Sequence, residues 1–351
     1  MASSEYQNTH LEHEIAQQPE VLQRLLDLET GHVKQIADAI RAFDPVYVYI
    51  AARGTSDNAA RYAQYLMGIY CRLAVGLASP SIHTLYEVAP NLSRALVIGI
   101  SQSGRAADVN QVLADAKAQG ALTLSITNDA DSLLAQTAHH HIPLHAEREI
   151  SVAATKTYTA ELAAVAMLVA ALADDDELHQ TLQTLPDLVS ETLSMSSSIE
   201  NWTERYRYIS SFASIGRGFN YCTAFEISLK IKELCYVTGH GYSEADFLHG
   251  PIAQVQPGFP VVVVAPQGKT LGVMREALQK LQERQAEALV ISNDESAFAT
   301  AHQRILIPQM PEWISPIPAV IPGQMFAMYL AMAKGHNVDQ PRGLTKVTVT
   351  R

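Results

Sequence analysis

The sequence predicts an α/β protein made of two similar halves, each a parallel sheet flanked by helices. Two observations support this prediction. Short apolar runs that end in turn residues alternate with helical stretches, as in right-handed βαβ units around a parallel sheet. The order of strand and turn in the first half then recurs in the second half, which indicates an internal repeat. Such sheets bind ligands at the carboxyl ends of their strands.

Equivalent turns in the two halves lie at a nearly constant spacing. Arg53 and Arg217 each follow an apolar run and are 164 positions apart, and Asn128 and Asn293 each follow another run and are 165 positions apart. Between them, the strand that ends at residue 100 has its counterpart near 261–266. Helices are predicted between the strands at 57–70, 106–119, 223–236 and 271–286.

Three further segments frame these halves. Residues 1–43 are predicted to be mostly helical, residues 175–200 to form a helical linker that ends near a serine-rich turn at 196–198, and residues 339–351 to form an extended tail. The two domains are therefore expected at 44–174 and 201–338.

The composition of the chain limits its class. Its 351 residues, 48% hydrophobic and 17% charged, are enough to bury a large core. The net charge of −11 argues against nucleic acid or an anionic membrane as partner, since both require a clustered basic surface. The longest apolar stretch, 162–173, is too short to cross a bilayer, and the N-terminus lacks the pattern of a signal peptide. A cytoplasmic location is therefore expected.

The strand at 95–100 ends in a loop that suits an anion. Its apolar run stops at Ser101-Gln102-Ser103-Gly104, after which the sequence is typical of a helix. Serine hydroxyls and the first backbone N–H groups of that helix would converge at the positive end of the helix dipole. The alternative is an ordinary helix cap, in which the hydroxyls satisfy those N–H groups. Ser56 and Thr155 supply comparable hydroxyls from neighbouring loops, which favours a phosphate site.

Charged residues recur on one face of the predicted helix at 223–236. Glu226, Lys230 and Glu233 occupy positions i, i+4 and i+7, beside an apolar stripe. One interpretation is a solvated ion pair, which would contribute only about 0.2–0.5 kcal/mol. The other follows from position, because the helix begins just after the carboxyl end of a strand. A carboxylate shielded there would have a raised pKa and could move protons.

Histidines and cysteines do not form a metal or redox motif. His249 precedes a Gly-Pro break and is expected in a turn. The run at 139–141 has no carboxylate or cysteine at ligand spacing and is interpreted as a polar loop that enters a strand at 142–144. Cys71, Cys222 and Cys235 are widely spaced and are expected to be small core residues. No metal site is therefore predicted.

Motifs for nucleotides and for hydrolytic serines are incomplete. Gly216-x-Gly218 lacks the third glycine of a dinucleotide fingerprint, and Gly268-Lys269-Thr270 lacks the earlier glycine of a phosphate-binding P-loop. The Gly-x-Ser-x-Gly pattern of serine hydrolases is absent as well. We therefore expect no cofactor.

Five motifs in the same order resemble the sugar isomerase (SIS) family, and specifically the isomerase half of glucosamine-6-phosphate synthases. The resemblance extends from about residue 10 to the C-terminus. The motifs are Ser101-Gln102-Ser103-Gly104, Val152-Ala153-Ala154-Thr155-Lys156, Lys230-Ile231-Lys232-Glu233, His249-Gly250-Pro251 and Asp339-Gln340-Pro341-Arg342.

This resemblance implies two tandem SIS domains, each with a five-stranded parallel sheet, and an enzyme that interconverts aldose and ketose hexose 6-phosphates. Glu233 matches the base that moves a proton between C1 and C2, and Lys230 matches an adjacent lysine. Lys346 matches a tail lysine that forms a Schiff base with the open-chain ketose. His249 matches a ring-opening histidine that the neighbouring subunit donates, which implies a homodimer. The candidate substrate-binding positions are Ser56, Ser101, Gln102, Ser103, Arg105, Val152, Ala154 and Thr155.

Several departures from the synthases bear on the reaction. Position 2 is Ala2 where the synthases carry the nucleophilic cysteine of a glutaminase domain, so glutamine hydrolysis by that route is not expected. Ala106 replaces a threonine after the anion loop, Arg105 precedes it, and Ala154 replaces a sugar-contacting serine. These changes resemble the stand-alone SIS-type glucosamine-6-phosphate deaminases. Conversion of glucosamine 6-phosphate to fructose 6-phosphate and ammonia is therefore the expected reaction.

Three alternatives remain open at this point. The first is a hexose-6-phosphate ketose–aldose isomerase that resembles the isomerase half of the synthases. The second is a deglycase for a sugar–amine phosphate, and the third is a sensor that binds phosphosugars without turnover. The catalytic-type residues favour an enzyme over a sensor, as does the absence of a basic DNA-binding extension before residue 44.

Overall fold

A computed structural model describes residues 9–346 of the chain, so the first eight residues and residues 347–351 lie outside the description. The described residues form two compact units. The first-sheet unit contains residues 18–149, 156–186 and 345–346, and the second-sheet unit contains residues 9–17, 150–155 and 187–344. The chain therefore passes between the units several times.

Five strands form a parallel sheet in each unit. The first sheet contains β1 (Tyr47–Ala51), β2 (Ala74–Leu77), β3 (Ala95–Ile100), β4 (Leu122–Thr127) and β5 (His140–Pro143). The second contains β6 (Ser211–Gly216), β7 (Thr238–Ser243), β8 (Pro260–Val264), β9 (Glu287–Ser292) and β10 (Gln303–Leu306).

The described helices connect these strands or pack on the sheets. They are α1 (His10–Ala16), α2 (Gln18–Phe43), α3 (Thr55–Tyr70), α4 (Pro80–Thr84), α5 (Ala107–Ala118), α6 (Leu133–Thr137), α7 (Lys156–Ala173), α8 (Asp176–Leu182), α9 (Leu185–Leu193), α10 (Ser196–Thr203), α11 (Tyr221–Cys235), α12 (Glu244–Leu248), α13 (Leu271–Glu283) and α14 (Pro316–Ala333).

Both sheets have the same strand order, which confirms the predicted α/β fold with two repeats. The first sheet runs β2-β1-β3-β4-β5 and the second, taken from its other edge, runs β7-β6-β8-β9-β10. The strand order reverses between β1 and β3 in one sheet and between β6 and β8 in the other. At such a switch point the loops that follow the two central strands leave a crevice for a ligand.

Burial of the central strands explains why their sequences are continuous apolar runs. All six residues of β3 and all five of β8 are buried, as expected for parallel strands that are covered by helices on both faces. β1 pairs with β3 in register from Tyr47 opposite Ala95 to Ala51 opposite Gly99. The loops after these two strands therefore start side by side.

Two long apolar helices lie inside the fold. The apolar stretch at 162–173 belongs to α7, an 18-residue helix, and α14 has the same length. By length and composition alone either helix could cross a membrane, but 89% of α7 and 83% of α14 are buried inside the structure. This burial is typical of core helices.

Two local predictions were wrong. The serines at 196–198 begin α10 and do not form a turn that ends the linker, which consists of α8, α9 and α10. His140 and His141 belong to β5 and not to a loop before it, because β5 pairs with β4 from His140 opposite Leu124. Within residues 9–346, no three histidine, cysteine, aspartate or glutamate side chains are grouped to hold a metal ion.

The cysteines follow the prediction in part. Cys222 and Cys235 are buried on α11, whereas Cys71 is half-buried at the end of α3. Burial raises the pKa of Cys235 to about 12 and that of Cys71 to about 11. These two thiols are therefore protonated at neutral pH and are poor nucleophiles.

Candidate active site

The loop after β3 has free hydrogen-bond donors. The Ser101 hydroxyl accepts the N–H of Gly104 at 3.2 Å, and the Ser103 hydroxyl accepts the N–H of Arg105 at 3.3 Å. Each hydroxyl therefore keeps its own proton to donate. Among residues 9–346, the backbone N–H groups of Gln102 and Ser103 have no hydrogen-bond acceptor. With α5 beginning at Ala107, these donors form an anion-binding loop at a helix N-terminus.

Gly104 is required by the shape of this loop. Its φ is +63°, in the left-handed region that favours glycine. A Cβ atom at this position would lie 2.2 Å from Oγ and 2.5 Å from Cβ of Ser132. The loop can therefore lie against the N-terminus of α6 only because residue 104 has no side chain.

A cavity of about 590 Å³ opens beside this loop. Cavities of roughly 300–1,000 Å³ are typical of small-molecule sites. Four predicted site residues line it, namely Gln102, Ser103, Arg105 and Lys346. The remaining lining residues are Asn128, Asp129, Ala130, Glu147, Arg148 and Glu149. The first-sheet unit therefore brings the anion loop and the tail lysine to one cavity.

A buried carboxylate holds the tail lysine. The Lys346 ammonium lies 2.7 Å from Oε2 of Glu149, whose side chain is 0% exposed, whereas that of Lys346 is 24% exposed. Glu149 also accepts the backbone N–H of Thr157 at 3.2 Å and its hydroxyl at 2.7 Å. Since Thr157 lies in the first turn of α7, the carboxylate also interacts favourably with the dipole of that helix.

The Asn128 side chain holds the backbone of Ala146 and Glu147, which precede the cavity-lining residue Glu149 in the chain. Its side-chain oxygen accepts the N–H of Ala146 at 2.9 Å, and its amide nitrogen donates to the carbonyl of Glu147 at 2.5 Å. Arg24 of α2 forms an ion pair with the Glu147 carboxylate and lowers its pKa. Arg105, which also lines the cavity, lies 3.5 Å from Asp129 and is 67% exposed. This guanidinium is therefore accessible to a ligand.

Ser56 differs from the serines of the anion loop. It is buried at the start of α3, and its hydroxyl donates to Oε1 of Glu161 at 2.8 Å. Glu161 lies on α7 and is 0% exposed. Because the Ser56 proton is already donated, contact of this hydroxyl with a phosphate would require that hydrogen bond to be exchanged.

The segment that carries Val152, Ala154 and Thr155 belongs to the second-sheet unit. Val152 donates its N–H to the carbonyl of Asp339 at 3.1 Å, and the carbonyl of Thr155 accepts from Gln324 at 3.4 Å. Val152 and Ala154 are half-buried, whereas Thr155 is 1% exposed.

Two carboxylates to which the sequence analysis assigned no role hold this segment in place. Glu14 of α1 is 2% exposed and accepts from the backbone of Ile150 and from the backbone and hydroxyl of Ser151. Asp339 accepts the N–H groups of His10 and Leu11 at 3.1 and 2.9 Å, at the N-terminus of α1. Glu14 lies in no motif, and the motif that contains Asp339 does not indicate its role, because the partners of both acids are more than 130 positions away.

The charged stripe of α11 is buried. Lys230 is 1% exposed, and its ammonium lies 2.5 Å from Glu233 and 3.5 Å from Glu226. The Glu226 side chain is 0% exposed and that of Glu233 is 26% exposed. The solvated ion pair is therefore the wrong interpretation. Glu233 is the accessible acid of this cluster, and its charge is balanced by a lysine that water does not reach.

Close packing of α11 against α14 keeps water away from this cluster. A Cβ atom on Gly323 of α14 would lie 2.3 Å from Cγ1 of Ile227, which is fully buried on α11. The two helices therefore approach each other at a glycine. Small changes in this contact would shift the helix that carries Lys230 and Glu233.

His249 lies where the sequence predicts, in a turn. It directly follows α12, is exposed, and donates its backbone N–H to the carbonyls of Ala245 and Asp246. Within residues 9–346, no hydrogen bond or ion pair joins its ring to Glu233 or Lys230. The structure is of a single chain, so donation of His249 to the site of a neighbouring subunit stays a prediction.

The second-sheet unit has a similar loop after β8, but a carboxylate of the protein already fills it. Glu312 accepts the N–H of Lys269 at 2.8 Å and the hydroxyl of Thr270 at 2.8 Å. A Cβ atom on Gly268 would lie 2.3 Å from the Glu312 carboxylate. Of the two equivalent loops, the one at Ser101–Gly104 therefore keeps its donors available.

Comparison with known families matches both halves of the chain. The SIS domain model matches residues 45–171 and 211–334. A glutamine–fructose-6-phosphate aminotransferase of Pyrococcus horikoshii is 35% identical over 346 residues, which is 96% of this chain and 57% of the relative. The chain thus spans little more than half the length of the curated relatives that it matches.

Solved structures agree with this family. The C-terminal domain of glucosamine–fructose-6-phosphate aminotransferase from Francisella tularensis superposes with a TM-score of 0.86 at 25% identity, covering 97% of this chain and all of that domain. A glucosamine-6-phosphate deaminase of Thermotoga maritima has a TM-score of 0.79 at 19% identity, over 97% of this chain and 100% of that chain. At that identity, the similarity to the deaminase shows a common fold and carries no information about the reaction.

The comparisons therefore favour the isomerase alternative over the expected deaminase. The catalytic and binding roles predicted for individual residues stay predictions. The chain belongs to the SIS family, with two SIS domains that are homologous to the isomerase half of glutamine–fructose-6-phosphate aminotransferases.

Proposed function

We propose that the chain interconverts the ketose and aldose forms of a hexose 6-phosphate, with fructose 6-phosphate as the ketose. The observation that carries this proposal is the cavity in which Gln102, Ser103 and Lys346 meet. It combines donors suited to a phosphate with an amine suited to a sugar carbonyl. Homology to the isomerase half of the aminotransferases supports the same activity.

The proposed mechanism is an internal proton transfer. The anion loop binds the 6-phosphate, and His249 of the partner subunit assists opening of the sugar ring. Glu233 then removes a proton from C1 of the open-chain ketose, and the electron pair forms a C1–C2 enediol. The former carbonyl oxygen O2 takes up a proton as this enediol forms. Return of the carbon-bound proton to C2 and loss of the O1 proton then form a carbonyl at C1, and O2 remains as a hydroxyl. No oxidant or reductant is consumed, so the step needs no redox cofactor.

Lys346 is proposed to form an imine with the sugar, through which ammonia can be added or removed. Its neutral amino group attacks the C2 carbonyl of open-chain fructose 6-phosphate, and water leaves as the C2 imine forms. Ammonia can displace the lysine from this imine, and water can hydrolyse it. The same residues would therefore serve both an isomerase and an enzyme that adds or removes ammonia.

The test is interconversion of fructose 6-phosphate and glucose 6-phosphate, followed by NMR in deuterated water. We expect turnover with partial deuterium at C2, because the proton held by Glu233 exchanges with solvent before it returns. We also expect loss of turnover by roughly 10²–10⁴-fold in Glu233→Gln, the usual range for a removed general base. Calorimetric binding of fructose 6-phosphate without turnover in the wild type would support the sensor instead.

Deamination of glucosamine 6-phosphate is the second candidate, and a specific observation favours it. Arg105, which distinguishes this loop from that of the synthases, lines the cavity and is exposed. The experiment is release of ammonia from glucosamine 6-phosphate by the wild type and by Arg105→Glu. Ammonia release that exceeds isomerisation would establish the deaminase, and no release would exclude it.

A cytoplasmic homodimer is also proposed. If His249 acts in the neighbouring subunit, an inactive His249→Asn protein mixed with an inactive Glu233→Gln protein will regain activity, because a mixed dimer contains one complete site. If His249 acts in its own subunit, the mixture will stay inactive. Sedimentation of the wild type checks the dimer itself.

A further inference from the structure

We propose that Arg53, which lies two residues beyond the end of β1 and was not assigned by the motifs, contacts the phosphate group of the sugar phosphate. This inference rests on the proposed function and adds a charged donor to the same site. Its chemistry is recognition of a phosphate monoester by a guanidinium group.

The fold places Arg53 beside the anion loop. β1 and β3 are neighbours in register, with Ala51 opposite Gly99. Arg53 and Ser101 each lie two residues further along, at the carboxyl edge of the sheet where its strand order reverses. The guanidinium reaches the first turn of α5, because its Nε and Nη2 atoms lie 2.8 and 2.7 Å from Oδ2 of Asp108. The side chain is thus at the helix N-terminus to which the anion loop leads.

Asp108 holds this guanidinium in a defined orientation. The aspartate side chain is 0% exposed, and its other oxygen accepts the N–H of Val109 at 2.9 Å. The Arg53 side chain is 49% exposed, and among residues 9–346 its Nη1 atom has no hydrogen-bond acceptor. The buried Asp108 carboxylate therefore holds the exposed N–H groups of Arg53 in a fixed orientation. This orientation lowers the conformational entropy that Arg53 would lose when a ligand binds.

Charge makes this arrangement necessary for an anion. A buried carboxylate at the N-terminus of α5 would repel a phosphate dianion at the anion loop, and the net charge of the chain, −11, gives no compensating field. Arg53 cancels the Asp108 charge and still has N–H groups to donate. A neutral residue at position 53 would leave the Asp108 charge uncancelled.

The internal repeat provides a natural comparison. Arg217 occupies the equivalent position after β6, but the helix that corresponds to α5 has Gly272 and Val273 where α5 has Asp108. No ion pair to the Arg217 side chain occurs within residues 9–346. Since the loop of that unit is filled by Glu312, the arginine is paired with an acid only beside the loop whose donors are available.

Calorimetric binding of inorganic phosphate and of fructose 6-phosphate tests the proposal without relying on turnover. The variants are Arg53→Met, the double variant Arg53→Met with Asp108→Asn, and Arg217→Met as the matched control. We expect Kd for both ligands to rise at least tenfold in both Arg53 variants and to change less than twofold in Arg217→Met. Arg53→Lys, which keeps the charge but loses the planar fork, should fall between them.

The double variant guards against misfolding, because it leaves no unpaired charge at position 108. Wild-type affinity for phosphate in that double variant would overturn the proposal and reduce Arg53 to a neutraliser of Asp108. Failure of the proposed function has a different signature, since the wild type itself would then bind neither fructose 6-phosphate nor inorganic phosphate.

Discussion

The ammonium group of Lys346 lies 2.7 Å from the carboxylate of Glu149, a fully buried side chain 197 positions earlier in the chain. This ion pair fixes the side chain of Lys346 at the cavity beside the anion loop. It also means that the ion pair between Lys346 and Glu149 must break before Lys346 can form the proposed imine.

A double-mutant cycle measures this ion pair. Because Glu149 is buried and contacts Lys346 directly, Glu149→Gln and Lys346→Met should show a coupling free energy of about 0.5–3 kcal/mol in urea unfolding at neutral pH. Additive effects of the two substitutions would contradict a direct interaction.

The proposed imine between Lys346 and fructose 6-phosphate can be trapped by borohydride reduction. Mass spectrometry should show added mass on the wild type and none on Lys346→Met.

Lys230 is expected to be essential for the stability of α11. Lys230→Met removes the ammonium group between the carboxylates of Glu226 and Glu233, of which Glu226 is fully buried. Loss of a buried counter-ion of this kind costs about 3–5 kcal/mol of unfolding free energy. Adding Glu226→Gln to Lys230→Met should recover a large part of that loss. A double variant as unstable as the single one would refute the charge argument.

Gly104→Ala should distort the anion loop. A left-handed φ costs alanine about 1–2 kcal/mol, and the clash with Ser132 adds about 1–3 kcal/mol of overpacking. Gly120→Ala is the control, since Gly120 also has a positive φ, +81°, but has no atom within 4 Å of its Cβ position. We expect weaker phosphate binding only in Gly104→Ala, measured by calorimetry. Equal affinity in the two variants would argue against Ser101–Gly104 as the phosphate site.

His141 should make the protein less stable in mild acid. Burial lowers its pKa below the value of about 6.5 in an unfolded chain. The unfolded state therefore binds the proton first, and stability is lost as pH falls from about 6.5 through the lower pKa of the folded state. His141→Gln should reduce the drop in urea midpoint over that range, whereas His13→Gln, at an exposed position, controls for the substitution itself. A drop as large in His141→Gln as in the wild type would contradict this assignment.

Much of the fold could be predicted because the signals are local. The apolar run of β3, the turn at Gly104 and the start of α5 follow from hydrophobic pattern and turn residues within about fifteen positions. The two local errors have the same physical basis. A run of serines can begin a helix as well as end one. A histidine can be part of a strand when its backbone pairs with a neighbouring strand, as His140 pairs opposite Leu124.

The repeated α/β architecture, the position of the anion loop and the charged stripe of α11 follow from local patterns in the amino-acid sequence. Which of those charges are buried and which donors are free depends on contacts between distant segments. Ser56 donates to Glu161, 105 positions away, and Glu312 fills the loop of the second repeat. Such pairings depend on which helices and strands pack together, and no short stretch of sequence encodes that.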